Sequence, residues 1–334
     1  MSSAGVGRVE DVRVAYVGGC ARSGTTLLAQ GLGSLPGALA IGEFKDLWWA
    51  AEVNYPCSCG SPLRACPVWS AALAAVHARH GVDASGYAGL HGLATSILRT
   101  RRASRIVRLR SRPRERWPEH IRRYVDVNTT LLRAALDVSG ADVVVDSSKF
   151  PPGFLLHMLA PDADVRVVHI VRDPRAVANS ERKSRKAGQE GAPQAHGSPW
   201  REEITCGNAA LASAAYWGGM NLAVARYACH VSAYRRVRYE DLADRPHDVL
   251  RSLGRFTGLD GRIPGAAGEP IALDPGHVAV GNPCRFDGPT RSIRVDLSWR
   301  EELPARDRLA VNAVTAMPRL VLHTPGIRSR VRGS

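Results

Sequence analysis

The stretch VAYVGGCARSGTTLL, from Val14 to Leu28, decides how this chain is read. Counted from Gly19 it spells G-x-x-x-x-G-T-T, a Walker A loop in which Thr25 stands where nucleoside-triphosphate enzymes keep lysine. A strand that turns through Gly18, Gly19 and Gly24 into a helix presents backbone N–H groups and the positive end of the helix dipole to an anion. Arg22, Ser23, Thr25 and Thr26 add a guanidinium and three hydroxyls to the same rim. The loop therefore suits a tetrahedral oxyanion. The missing lysine points away from ATP and toward a donor with a shorter, less charged 5′ chain, with no metal required.

Working outward, short β-branched runs alternate with helical stretches, the pattern of a parallel sheet flanked by helices. Val12–Val17 is the expected first strand and Thr25–Ser34 the helix after it. The runs Ala141–Val145 (ADVVV) and Val165–Val171 (VRVVHIV) are dominated by apolar, mostly β-branched residues, as strands buried on both faces are, and Pro151–Leu159 has the length of a short crossover helix between them. Tyr234–Tyr239 is a further expected strand, with a helix starting near Asp241. Residues 1–334 are read as one α/β domain with a helical, arginine-rich acceptor-side insertion over about 55–138 and a mobile loop at 186–199, where Gly, Pro, Ala and Gln dominate.

Composition sets limits on partners. With 45% apolar residues the 334-residue chain can bury a sizeable core. It opens without a charged-then-apolar leader and has no run of about 18 apolar residues, so a soluble, cytoplasmic protein is expected. Its net charge of +14 suits an anionic ligand, yet only four of the 45 basic residues are lysines, a bias that a GC-rich genome also produces. Eleven arginines fall between Arg99 and Arg123, read as a solvated helix or loop, or else as an electrostatic funnel for an anionic substrate. No aromatic interleaving or binding module accompanies them, so nucleic acid is not an expected partner. Seven cysteines scattered over the chain do not form a secreted disulfide framework.

A second motif, VHIVRDPRAVANS from Val168 to Ser180, delivers Arg172 to the carboxyl edge of the sheet and Ser180 about two helical turns further on, where they can grip one phosphate; Arg172 could instead form a salt bridge with Asp173 or Glu240. GCARSGTTLL resembles the 5′-phosphosulfate loop, and VHIVRDPRAVANS the 3′-phosphate motif, of sulfotransferases that use 3′-phosphoadenosine 5′-phosphosulfate (PAPS). RYEDLADRP (Arg238–Pro246) and GNPCRF, near the C-terminus, are similar to two further family segments. The RSGTTLL, IGE and DSSK segments place the resemblance nearest the carbohydrate and tyrosylprotein branch and its soluble bacterial relatives.

The resemblance implies a P-loop-like α/β fold and PAPS as co-substrate. Arg22, Ser23, Gly24, Thr25, Thr26 and Leu27 would hold the 5′ side and Arg172 with Ser180 the 3′-phosphate. Tyr239 would lie against the adenine or else be a core tyrosine, and Arg285, Arg291 or Arg294 would close over the 3′-phosphate. Glu43, in LAIGEFKDLW and 21 residues after Arg22, matches the general base of the tyrosylprotein branch, its pKa expected to rise on burial; it could instead serve only as a helix N-terminal acid. Lys149, in VVVDSSKFP, matches a lysine aimed at the bridging oxygen; it could instead pair with Asp146 or be a surface lysine. The reaction implied is sulfuryl transfer to a hydroxyl, less readily an amine, of a small-molecule, sugar, lipid or secondary-metabolite acceptor, with a homodimer as a compatible assembly. A small-molecule P-loop kinase and a non-catalytic nucleotide- or anion-binding protein are the alternatives.

Other residues carry weaker signals. His169, inside an apolar strand, is read as a core histidine. Cys57, Cys59 and Cys66 form C-x-C-x₆-C, which offers three ligands where a structural zinc site takes four, so a structural or acceptor-side loop is expected ahead of a disulfide or a zinc site. Trp48, Trp49 and Trp69 flank that loop and either line an acceptor pocket or pack the sheet.

Overall fold

The computed structural model describes residues 12–186, 209–262, 271–273, 276–286, 290–291, 295–323 and 329–331. The 186–199 loop beyond Lys186, and Arg294, lie outside these residues. Six strands form the main sheet: β1 (Arg13–Gly18), β2 (Ala38–Gly42), β3 (Val143–Lys149), β4 (Asp164–Val171), β5 (Ala233–Arg238) and, numbered in chain order, β8 (Ser329–Val331). A small hairpin of β6 (Ile271–Ala272) and β7 (Thr290–Arg291) stands apart.

The strand order is β2-β3-β1-β4-β5-β8, with β8 alone antiparallel. From β1 the chain first moves to one side, through β2 and β3, and then crosses to β4 and β5 on the other. The topological switch therefore lies at β1, and its carboxyl end is where ligands of open parallel sheets bind. The opening motif occupies that end.

The parallel strands are apolar because helices cover both faces. On one face, Ala15, Val17, Val145, Val168 and Ile170 pack on Leu28 and Leu32 of helix α1 (Thr25–Gly33) and on Leu250 and Leu253 of the helix Pro246–Thr257. On the other, Val14, Tyr16, Ile41, Val144 and Val167 meet Phe154 of the short helix Pro151–His157, Leu131 of the helix Glu119–Ser139 and Trp217 of the helix Ala209–Tyr227.

Most observed boundaries follow the sequence reading within one or two residues, but β3 runs four residues past the expected end at Val145, and β2, β6, β7 and β8 are not among the expected strands. β2 reads ALAIG, five residues with a single β-branched side chain, too weak a signal to announce a strand. The arginine-rich run crosses the helix Ala103–Arg110 and enters the helix Glu119–Ser139, with most of its guanidiniums exposed or half-buried. Trp48, Trp49 and Trp69 are buried, and the indole N–H groups of Trp48 and Trp69 donate to Asn128 Oδ1 (3.1 Å) and His277 O (2.7 Å). His169 is the buried core residue expected, bonded to Tyr234 Oη at 2.8 Å and Asn221 Oδ1 at 2.9 Å, with burial lowering its pKa to about 4. Among the described residues no helix is long and apolar enough to cross a membrane.

Candidate active site

Register places the parts. Gly18, the last residue of β1, is level with Lys149 on β3 and with His169 on β4. The chain then enters the loop, where Gly19 donates its N–H to Lys149 O at 3.3 Å. Lys149 is thus fixed against the start of the cradle by its own backbone. Both Lys149 (φ 74°) and Arg22 (φ 63°) hold left-handed conformations that non-glycine residues rarely adopt, and such strain gathers at functional sites.

Gly24 closes the loop in the left-handed region (φ 87°) and starts α1, accepting the N–H of Leu28 at 2.9 Å. A Cβ there would stand 2.5 Å from Tyr239 Cδ2. The opening motif and the RYEDLADRP segment are therefore in contact, and only glycine fits between them. Arg172 leaves the end of β4, stacks its guanidinium 4.5 Å from the Tyr239 ring centroid and donates from Nη1 to Arg22 O at 3.0 Å. Three segments distant in sequence converge on one corner.

Among the described residues, two polar atoms in that corner lack partners. Ser23 is fully buried and its Oγ has no hydrogen bond; Arg172 Nε is likewise buried and unbonded. A buried donor left in this state is costly unless a ligand completes it. Thr25 is buried and Thr26 and Leu27 half-buried in the first turn of α1, while Ser180 is half-buried on the helix Pro174–Lys186 that follows Arg172. Beside Arg172, at the carboxyl ends of β4 and β5, lies a cavity of about 430 Å³ whose walls include Arg236, Arg238, Glu240 and Arg319.

Glu43 follows β2 and is anchored by its backbone N–H, which donates to Val280 O at 2.8 Å. Its carboxylate is ion-paired with Lys149 through Oε1, and Lys45 Nζ lies 3.3 Å from Oε2 and pairs in turn with Asp46. The two sequence-predicted reacting residues, 106 positions apart, meet directly. The expected rise in the Glu43 pKa is corrected: burial does push it up, but the Lys149 and Lys45 ammoniums outweigh burial and hold it at about 2. The alternative partner for Lys149 is also excluded, since Asp146 bonds Ser148 and His157.

Other expected contacts are placed differently. The Arg22 side chain turns to the helix Pro174–Lys186, pairing with Glu181 (3.6 Å) and bonding Ser184. Arg172 takes Asp296 as carboxylate partner at 3.1 Å, while Glu240 accepts the N–H of Asp173 at 2.9 Å. Arg285 is buried between Tyr55 and Phe286 and donates to Gly281 O (2.8 Å) and Pro56 O (3.3 Å). Of Arg291 the structure describes the backbone, in β7. Two residues escaped the sequence reading. Lys45 lay in plain view two positions from Glu43. The D-x-S turn at Asp296–Ser298 was the only local trace of Arg172's partner.

A family model described as the sulfotransferase family matches residues 15–262, three quarters of the chain. The chain belongs to the sulfotransferase family. A curated relative, carbohydrate sulfotransferase 5 of Mus musculus, is 36% identical over 110 residues, which cover 30% of this chain and 26% of that protein. The match therefore spans about a quarter of the relative's length. Among solved structures, the sulfotransferase domain of the Synechococcus PCC 7002 olefin synthase aligns over 95% of this chain and 98% of its own at 17% identity and a TM-score of 0.48. The sulfotransferase domain of the curacin biosynthetic pathway aligns over 92% and 97% at 15% identity and a TM-score of 0.47. The sulfotransferase family assignment rests on the sequence match and agrees with the parallel sheet flanked by helices.

Proposed function

We propose that this sulfotransferase moves the sulfuryl group of PAPS to a hydroxyl of a small-molecule, sugar, lipid or secondary-metabolite acceptor. The observation that carries the reading is the Glu43–Lys149 pair, whose lysine backbone is bonded to the first residue of the phosphate cradle. The unpaired Ser23 Oγ and Arg172 Nε support an anionic nucleotide in the same corner. In this reading Ser23, Gly24, Thr25, Thr26 and Leu27 hold the 5′ side, and Arg172 with Ser180 holds the 3′-phosphate. Tyr239, already stacked on Arg172, offers its remaining ring surface to the base.

The nucleotide supplies the sulfuryl group; the chain supplies position and charge. Glu43 takes the acceptor proton as the new S–O bond forms. The old S–O bond breaks with its electron pair staying on the 5′-phosphate, where Lys149 and Arg22 meet the charge. An ammonium shared between Glu43 and the phosphate links the two events. As Lys149 turns to the phosphate, Glu43 keeps Lys45 but loses one of the two ammoniums that depress its pKa, and becomes a stronger base. Arg22 takes part by leaving Glu181.

Sulfur-labelled PAPS offered with a panel of hydroxyl compounds tests the reading and identifies the acceptor. Metal-independent transfer of label to at least one compound is expected. Phosphorylation of the same compounds by Mg·ATP, with no label transfer, would overturn it in favour of a kinase.

A further inference from the structure

We propose that Cys57, Cys59, Cys66 and His277 bind one zinc ion that staples the loop between residues 56 and 66 to the segment behind Glu43. The three thiols and one imidazole offer one ligand atom each, all within 4.8 Å of one another, and Cys66 Sγ lies 3.2 Å from His277 Nδ1. Zn–S bonds of about 2.3 Å set tetrahedral edges of about 3.8 Å, so small side-chain rotations close the shell. The sequence reading fell one ligand short because His277 lies 211 residues beyond Cys66.

The backbone is arranged for this gathering. Cys57 donates to Ser61 O and Gly60 to Cys57 O, both at 2.9 Å, with Gly60 in the left-handed region (φ 88°), so the chain doubles back between Cys57 and Cys66. Cys66 immediately precedes the 14-residue helix Pro67–His80, whose positive end favours a thiolate. Ser58, between the first two cysteines, grips the chain on both sides of His277: its Oγ donates to Gly276 O at 3.0 Å and accepts from the Val278 N–H at 2.8 Å, and its own N–H donates to Val278 O at 3.1 Å. Trp69 fixes His277 O at 2.7 Å. All this orders a histidine opposite three thiols.

Soft thiolates with one imidazole select zinc over hard cations, and four protein ligands leave no open position for substrate chemistry. Cys57 and Cys66 are buried while Cys59 is exposed, which gives the ion a way in. A disulfide would use two of the thiols and leave the third thiol and the imidazole unaccounted for. The ion would also steady the reacting centre, because Val280, three residues past His277, accepts the Glu43 N–H and Ala279 donates to Ile41 O at 3.2 Å. The zinc assignment itself does not depend on the sulfuryl-transfer reading.

The test is metal analysis of the full chain, produced in zinc-supplemented medium and purified without chelator, together with zinc-edge X-ray absorption. About one zinc per chain in a shell of three sulfurs and one nitrogen is expected. Cys59→Ser and His277→Ala should each lower zinc content at least about five-fold, while Cys229→Ser, at an exposed cysteine elsewhere, retains it. Should those variants fail to fold, mercurial titration of the wild-type thiols should release the zinc in step with their modification. A folded chain with less than about 0.1 zinc, a Cys57–Cys66 disulfide in a non-reducing peptide map, or zinc unaffected by thiol modification would each overturn the proposal.

Discussion

The two ends of the candidate site are in opposite electrostatic states. Around Glu43 every charge has its counter-charge, with Glu43, Lys149, Lys45 and Asp46 forming a network of two acids and two bases. In the Arg172 corner, Arg172 and Ser23 keep buried polar atoms unbonded among the described residues, and the carboxylate that Arg172 does hold, Asp296, is half exposed. On the proposed reading, Glu43 and Lys149 would check each other until a substrate drew Lys149 away, whereas Arg172 and Ser23 would be completed by a phosphate. Reactivity and affinity should therefore be separable by mutation.

Glu43→Gln breaks the first end alone. Turnover on an identified acceptor should fall about 10²–10⁴-fold, the usual contribution of a positioned base, while affinity for adenosine 3′,5′-bisphosphate changes little; equal losses in both would erase the distinction. Lys149→Met should lower turnover about 10²–10³-fold by removing charge from the leaving phosphate. The complementary break is Arg172→Ala, expected to weaken bisphosphate binding about 10–100-fold, the worth of one charged hydrogen-bonding group. Asp296→Asn sharpens the contrast with the smallest change: freeing Arg172 from its pair should tighten binding by less than about ten-fold, and weakened binding would show that Asp296 positions the arginine.

Acid titration reads the same contrast as stability. The folded-state pKa of Glu43 lies below the ordinary glutamate value, so its ionisation stabilises the fold at neutral pH, and that contribution fades as pH falls toward about 2. Denaturation midpoints of wild type and Glu43→Gln should therefore converge on acidification. A gap that stays constant across the acid range would mean that the Lys149 and Lys45 pairs do not stabilise the folded chain.

The sequence reading went furthest where chemistry is local. Thr25 in place of lysine, the strand-to-helix corner at Arg172 and the buried His169 each follow from a dozen contiguous residues. What it could not supply is non-local. That Lys149 answers Glu43 instead of Asp146, that Asp296 occupies Arg172, and that His277 completes three cysteines depend on pairings across 106 to 211 residues. The pKa of Glu43 was misjudged for the same reason: burial is legible from a hydrophobic neighbourhood, but the two ammoniums that overcome it are placed by tertiary structure. Composition held an unused hint. In a chain with only four lysines, two of them converge on one carboxylate.

The central claim is a phosphate cradle that binds a 3′,5′-bisphosphate nucleotide without metal, with Lys149 standing in for the P-loop lysine that Thr25 replaces. Calorimetric titration of adenosine 3′,5′-bisphosphate into the purified protein, with magnesium and with magnesium removed by chelation, tests it most directly. The account predicts the same micromolar-or-tighter dissociation constant in both conditions and no competing affinity for Mg·ATP; binding that requires magnesium, or that favours Mg·ATP, would contradict it.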